Sequence, residues 1–432
     1  FPTPVDMYRK SVKSFALRDG PRFVPSGEGA IPCDEEGRAG KCDAALLNTS
    51  GFDVRNDAND AFIFLPGSVG SSGGGGGDGI DVASTTTKTY GYAELRAEYL
   101  LLTGAIPALP DEAFGTWFSW YHAYNQSGAE SDIARWRDDD LPIDIWGLDM
   151  DWRIWAGGME GKEYKVNTKL FPNMTAFYEF AHQHDLVVYM NDHPMANATQ
   201  LSPQEIKFRF DGLTSLFDLG LDFWWYDENW HNIIPGIDGF PNGGSVDHLV
   251  WGQEIFRSVA AHYNRVNGPR VRAPPPPRAP ATLPALTLST STSIQQNTSR
   301  PDMAARPLTL SMYSSAHPAE HRFPVWWTGD VVYTQLLDNV QKMVNGGLNL
   351  QPYVHPDCGA HYGVPFLEET PEMFVRWAQF CSMGTIIRFH TNNCCDHRPW
   401  SWGKKAEDAI RKTLQMRYAL MPTLIAAGRG VT

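Results

Sequence analysis

The sequence predicts a (β/α)8 TIM barrel preceded by part of an N-terminal β-sandwich domain. Three observations carry this. From about Phe114, short apolar runs alternate with helix-like stretches, the rhythm of a parallel α/β fold. There are eight such runs, and nearly every one ends in a polar or ionisable residue, as expected where chemistry sits at the C-terminal ends of barrel strands. The first hundred residues lack this rhythm and read as β structure with long loops, for example Ala61-Phe62-Ile63-Phe64-Leu65-Pro66 among Gly, Ser, Asn and Asp.

In chain order, the strand candidates are Phe114–Trp120, Ile143–Asp149, Leu186–Asn191, Phe223–Asp227, Leu308–Met312, Val325–Asp330, Leu348–Asp357 and Thr385–His390. Helix-like stretches lie at Tyr92–Leu102, Ser131–Asp140, Met174–His184, His248–Tyr263, Tyr333–Asn345, Pro371–Cys381 and Ala406–Leu424. Residues 1–107 are then a partial β-sandwich region, with the glycine run Gly73–Gly77 as a flexible surface loop, and 108–432 the barrel. Within the barrel, 266–306 carries Pro274-Pro275-Pro276-Pro277 and a long Ser/Thr/Pro/Ala tract. Such a segment buries too little apolar surface to offset its ordering entropy. It reads as a disordered insertion between the fourth and fifth strands, or equally as an unspliced or misjoined genomic segment.

The chain has 432 residues, 42% of them hydrophobic, with 15 Trp, 16 Tyr and 22 Phe, ample for a large core. Its net charge of −13 argues against a nucleic-acid partner, which would want a basic face. No apolar run reaches membrane-spanning length, so no membrane span is expected. The opening Phe1-Pro2-Thr3 suggests a processed product or a fragment. Six cysteines make no disulfide scaffold at this size. Cys33 and Cys42 could staple a loop, and the adjacent Cys394 and Cys395 are not expected to pair with each other. Asn-x-Ser/Thr acceptors at Asn48, Asn125, Asn173, Asn197 and Asn297 tilt the chain weakly towards the secretory pathway, secreted or lysosomal.

Two carboxylates stand in aromatic settings: Asp227, in Phe223-Trp224-Trp225-Tyr226-Asp227-Glu228-Asn229-Trp230, and Asp330, in Pro324-Val325-Trp326-Trp327-Thr328-Gly329-Asp330. Aromatic faces stack on pyranose rings, and two carboxyl groups can divide nucleophile and acid/base work. Strand alternation puts Trp225 and Asp227 on one face, making Asp227 the candidate nucleophile and Trp225 a wall or floor. Asp330, to act as general acid, must keep a proton, and burial near Trp326 and Trp327 beside a charged Asp227 would raise its pKa. Each acid also suits a helix cap or turn. Asp149 and Asp151 share a face by the same alternation and could hold two sugar hydroxyls, or form an exposed acidic loop. His390 could donate to a hydroxyl or be structural. Asp357, beside His355 and His361, raises a metal question, but no His-x-His opens the first strand, so neither metal nor cofactor is expected.

These blocks, taken in order, resemble glycoside hydrolase family 31, the α-glucosidase and α-xylosidase group. Leu102-Thr103-Gly104-Ala105-Ile106-Pro107-Ala108-Leu109-Pro110 resembles the entry to its catalytic domain. Leu148-Asp149-Met150-Asp151-Trp152 resembles its second-strand Asp-x-Asp, Trp224 to Asn229 its nucleophile block, and His321 to Asp330 its acid/base block. His355-Pro356-Asp357-Cys358-Gly359, Arg376-Trp377-Ala378-Gln379-Phe380 and Arg388-Phe389-His390 resemble its last two strands with their linking helix. Departures are Ser311-Met312, where the family usually has Ser-Arg, the proline-rich insertion, and a chain that stops after the helix closing the barrel.

The resemblance implies a retaining α-glycoside hydrolase, α-glucosidase-like and exo-acting on terminal α-linked sugars of an oligosaccharide or glycoside. Asp227 is then the nucleophile and Asp330 the acid/base, with Asp149, Trp225, Trp327, Asp357 and His390 shaping the sugar pocket. Alternatives are a catalytically impaired carbohydrate-binding relative, an α-transglycosylase or lyase with the same two acids, and a metal-dependent barrel hydrolase using Asp192, His193, His355 and Asp357.

Overall fold

The structure is a computed structural model that describes residues 97, 100, 105–154, 164–193, 203–227, 258–263, 266, 309–312, 320–322, 325–348, 350–362, 369–393 and 395–429. The expected sandwich region, the glycine run, Cys33, Cys42 and nearly all of 266–306 lie outside the described residues, apart from helical backbone at 97 and 100.

All eight expected runs hold a strand. They are β1 (Thr116–Trp120), β2 (Ile145–Leu148), β3 (Val187–Asp192), β4 (Phe223–Tyr226), β5 (Thr309–Met312), β6 (Trp326–Trp327), the pair β7 (Val354–His355) and β8 (Asp357–Cys358), and β9 (Ile387–Phe389). Every pairing is parallel, in the order β7-β6-β5-β4-β3-β2-β1-β9-β8. β7 and β8 are the two halves of the seventh barrel strand. Pro356, which has no N–H to donate, stands between them. The first half pairs with β6 and the second with β9, so the chain itself closes an eight-stranded barrel.

The helices are α1 (Gln126–Asp138), α2 (Met174–Gln183), α3 (Pro203–Leu219), α4 (Leu336–Leu348), α5 (Pro371–Cys381) and α6 (Lys404–Arg429), with further helical residues at 258–263. Side-chain caps set three of the starts. Asn125 Oδ1 accepts from Gly128 N at 2.7 Å, Asn173 Oδ1 from Ala176 N at 3.0 Å, and Thr370 Oγ1 from Met373 N at 3.2 Å ahead of Pro371. Two of the five glycosylation-type asparagines are thus exposed N-caps.

Helix α3 was not expected. Its pattern is inverted at the centre, where Phe208 faces solvent and Arg209 is buried, so the usual apolar stripe is disguised. Gly212 lets it sit close, because a Cβ there would meet the Tyr164 ring at 1.9 Å.

Strand alternation sorts the core into two layers. Trp117, Ile145, Val187, Tyr189, Phe223, Trp225, Leu310 and Trp327 belong to one cluster that fills the barrel. Their neighbours Phe118, Trp146, Val188, Met190 and Trp224 join helix residues such as Ile133, Phe177, Leu213, Trp377 and Leu414 in a second cluster outside it. Tyr189 stacks on Phe223 at 5.2 Å, and its ring lies over Gly147, where a Cβ would fall 2.4 Å from it. Cys395 is disulfide-bonded, and Cys358 and Cys381 are buried free thiols.

Arg417 of α6 ties the barrel base together. It is fully buried, and its guanidinium donates to the carbonyl oxygens of Phe114, Ser382, Gly384 and Thr385 at 2.6 to 3.1 Å. Arg417→Leu strands those four oxygens, and a loss of at least about 3 kcal/mol is expected by urea denaturation. A loss below about 1 kcal/mol would show that the clamp is dispensable.

Candidate active site

The acids stand where the strands end. Asp149 follows β2, Asp192 closes β3, Asp227 follows β4, Asp330 follows β6 by way of Thr328 and Gly329, and His390 follows β9. Trp225 points into the barrel, and strand parity carries Asp227 to the same side at the mouth. Asn191 Nδ2 donates to Asp227 Oδ2 at 2.5 Å, orienting that carboxylate. Gly329 has φ 76°, a left-handed conformation that suits glycine, and Thr328 N donates to His355 O at 2.8 Å. The Asp330 Oδ2 that follows accepts from Tyr362 Oη at 3.0 Å and lies 3.6 Å from His361 Nε2.

Beneath this rim lies a charged floor. Arg388 and Asp357 are register partners on β9 and β8, and both are fully buried. Arg388 Nη2 donates to Asp357 Oδ1, and its guanidinium carbon lies 4.5 Å from the Trp225 ring centroid and 5.0 Å from that of Trp327. The His390 ring meets Trp225 edge-on at 5.0 Å, pairs through Nδ1 with Ser119 Oγ at 2.8 Å, and places Nε2 3.7 Å from Asp149 Oδ2. Met150 N donates to Asp149 Oδ1 at 2.7 Å.

Burial and crowding move the site's proton affinities. Asp149 is raised well above the carboxylate range by burial and then by the charge of Asp227. Asp227 is raised by burial, against the opposing pull of His193, Asn191, Arg388 and His361. Asp330 is raised to about 6 by burial and by the charges of Asp357 and Asp227, with His361 and the Tyr362 hydroxyl opposing. For Asp357, burial favours the neutral form, but Arg388 and the neighbouring histidines outweigh it, and the carboxyl lies well below the ordinary range. Burial and Arg388 hold His390 and His355 neutral, His355 at about 3.

The structure therefore gathers Asp149, Asp227, Asp330 and His390 at one mouth, over Trp225, Trp327 and Asp357. Two expectations change. Asp151 does not share a face with Asp149, because the chain leaves β2 directly into the 3-10 turn Met150–Trp152, capped by the Asp149 side chain. Asp151 lies near Tyr121, on which Asp149 also acts, and near His122. Asp357, expected at the sugar, is enclosed, with Oδ1 on Arg388 and Oδ2 3.4 Å from His361 Nδ1.

Asn191, Ser119, His361, Tyr362 and Arg388 were not among the expected site residues. Asn191 ends its apolar run, so the strand-end rule could have found it. The others converge only in three dimensions.

No three of Asp192, His193, His355 and Asp357 come within ligand spacing of one another. Arg153 and Tyr164 hold the two Asp192 oxygens at 2.8 and 2.9 Å, and His355 Nδ1 faces Pro356 O at 2.9 Å. Among the described residues, the group with ligand spacing is Asp357, His361 and His390, with ligand atoms within 4.8 Å of one another. The Arg388 guanidinium on Asp357 opposes a second cation there.

An eight-stranded parallel barrel with several aspartates at its mouth and aromatic rings beneath is an architecture used by barrel glycosidases. The chain belongs to glycoside hydrolase family 31: its residues 106–427 match the model of the glycosyl hydrolases family 31 TIM-barrel domain. It is similar to the alpha-xylosidase of Saccharolobus solfataricus, 22% identical over 348 residues, covering 75% of this chain and 43% of that protein. A shorter stretch of 118 residues is 33% identical to neutral alpha-glucosidase AB of Mus musculus, 27% of this chain and 12% of that one. The chain thus spans less than half the length of these relatives. The crystal structure of a GH31 alpha-xylosidase from a soil metagenome, complexed with xylose, superimposes with TM-score 0.58 at 15% identity, over 78% of this chain and 53% of that one, which shows the shared fold.

The raised Asp330 pKa carries a stability consequence. Below about pH 4 the carboxyl is protonated in folded and unfolded chains alike. Between about 4 and about 6 only the folded chain keeps the proton, so stability falls as pH rises, and the cost is complete above about 6. Asp330→Asn should therefore stabilise the protein by on the order of 2 kcal/mol at about pH 7.5 and hardly at all at about pH 4. Thermal unfolding of both proteins across pH checks this, and an equal effect at both pH values would contradict it.

Proposed function

We propose that this chain is the catalytic barrel of a retaining, α-glucosidase-like glycosidase that removes terminal α-linked sugars from an oligosaccharide or glycoside. One observation carries the reading. Asp227 and Asp330 stand at one barrel mouth, both raised by burial, Asp227 oriented by an amide donor and Asp330 holding a proton to about pH 6.

With Oδ2 held by Asn191, Asp227 presents Oδ1 to the anomeric carbon while protonated Asp330 gives its proton to the departing glycosidic oxygen. The bond broken is C1–O, and the bond formed is an ester of inverted configuration at C1. Asp330, now ionised, takes a proton from water as that water attacks C1. Asp227 is released, and the second inversion restores the α configuration. Asp149 and His390 are suited to hold sugar hydroxyls, Trp225 and Trp327 form the floor, and Asp357 acts by holding Arg388 and His361. No step needs a metal or cofactor. The names of the relatives leave glucose and xylose both open as the sugar. An acid working range and the Asn-x-Ser/Thr sites fit a secreted or lysosomal setting. Among the described residues, no helix is long and apolar enough to cross a membrane.

Proton NMR during hydrolysis of nitrophenyl α-glucoside and α-xyloside should show the α anomer forming first. Asp227→Asn and Asp330→Asn should each lower kcat/KM by about 10³-fold or more. Prior formation of the β anomer, or wild-type turnover in either variant, would overturn the proposal.

A pH series is a separate check. The acid form of Asp330 is required, so kcat/KM should fall as pH rises through about 6. A profile flat to about pH 8 would remove Asp330 from the acid role.

A further inference from the structure

His361 was weighed in the sequence only beside Asp357 as a metal question, yet it is the point where three loops of the mouth meet. We propose that His361 is a positioning residue for the acid/base Asp330, an imidazole strut between that carboxyl and the buried Asp357–Arg388 pair. This deepens the proposed function and rests on it for the role of Asp330.

The geometry is two-sided. His361 Nε2 lies 3.6 Å from Asp330 Oδ2, and Nδ1 lies 3.4 Å from Asp357 Oδ2, whose other oxygen takes Arg388. His361 is buried, with Asp357 fully enclosed on one side of it and the partly exposed Asp330 on the other. Its place is fixed by backbone rather than by chance packing. His361 N and Tyr362 N both donate to Val331 O, at 2.8 and 3.1 Å, joining this loop to the residue after Asp330. On the other side, His361 O accepts from Asn392 N at 3.2 Å and Thr391 Oγ1 at 3.3 Å, beyond the end of β9.

Reaching this position requires an uncommon turn. Gly359 has φ 98°, and Ala360, which is not glycine, has φ 81°. A left-handed alanine is strained and persists only where its surroundings over-determine it. Here those surroundings are the tethers on either side of His361.

The groups facing Asp330 are His361, Tyr362, Asp357 and Asp227. Those facing His361 are Asp357, Asp330, Asp149, Asp227 and, ring to ring, Tyr362 at 4.5 Å and His390 at 5.1 Å. Burial opposes a charge on His361, but the carboxylates outweigh it, and its pKa is raised. The imidazolium therefore favours the ionised form of Asp330, the form needed when water attacks in the second step. It also offsets the charge of Asp357, which acts on Asp330 in the opposite direction.

The test uses the whole chain with His361→Phe, which keeps ring volume and removes both nitrogens, and His361→Gln, which keeps an amide donor and is read if the Phe variant does not fold. The carboxyl ¹³C resonance of Asp330, assigned by its loss in Asp330→Asn, should titrate about one pH unit higher or more in His361→Phe than in the wild type. The descending limb of kcat/KM on a nitrophenyl α-glycoside should move up with it. At the optimum, kcat should fall on the order of tenfold, with KM nearly unchanged. An unmoved Asp330 titration and an unmoved limb overturn the proposal even if the rate drops, because a purely structural residue would behave that way. The resonance needs no turnover. A shifted titration in a chain that hydrolyses nothing upholds the strut and refutes the glycosidase reading, whereas turnover lost in Asp330→Asn with no shift does the reverse.

Discussion

The buried cation Arg388 organises the mouth of this barrel. Arg388 sits fully enclosed in the barrel, against the rings of Trp225 and Trp327, with Asp357 directly across the ladder from it. An unpaired guanidinium in such a place would cost several kcal/mol, and the register of two neighbouring strands is what supplies the partner. Pro356 interrupts the seventh strand immediately before Asp357. The same short segment thus closes the barrel and delivers the counter-ion. The Arg388 field also reaches upward, helping to keep His390 neutral and opposing the proton on Asp227.

Above that cation, the mouth carries more carboxyl groups than it can ionise together. Asp149, Asp227 and Asp330 are all raised by burial, and the charge of Asp227 further raises Asp149 and Asp330. Burial thus favours a proton on each of the three. Local donors bias where it rests. Asn191 orients Asp227, Met150 N caps Asp149, and Asp330 is held by a phenol and an imidazole on the loop that follows β8. A set of acids that costs stability at neutral pH is held together by hydrogen bonds and by a floor of opposite charge.

Much of the fold was legible because each barrel strand is a short apolar run with a polar end, and parity alone separates Trp225 from Trp224. What escaped did so for local reasons. Helix α3 hides behind an exposed Phe208 and a buried Arg209. Asp151 looked like a face-mate of Asp149 until the chain turned at Met150. The aspartates at the mouth follow from the strand-end rule, whereas His361 does not, because its position depends on two consecutive left-handed residues and on backbone bonds to loops 30 residues away in sequence. Such convergence leaves no periodic trace.

The central claim is that the carboxyl at the end of the fourth strand attacks the sugar. Incubation with slow-turnover fluorinated α-glucosyl and α-xylosyl fluorides, followed by peptide mass mapping, tests it directly. A stable glycosyl adduct on Asp227, absent from Asp227→Asn, is the expected result. An adduct on another carboxyl, or hydrolysis of either reagent by Asp227→Asn at the wild-type rate, would contradict the account.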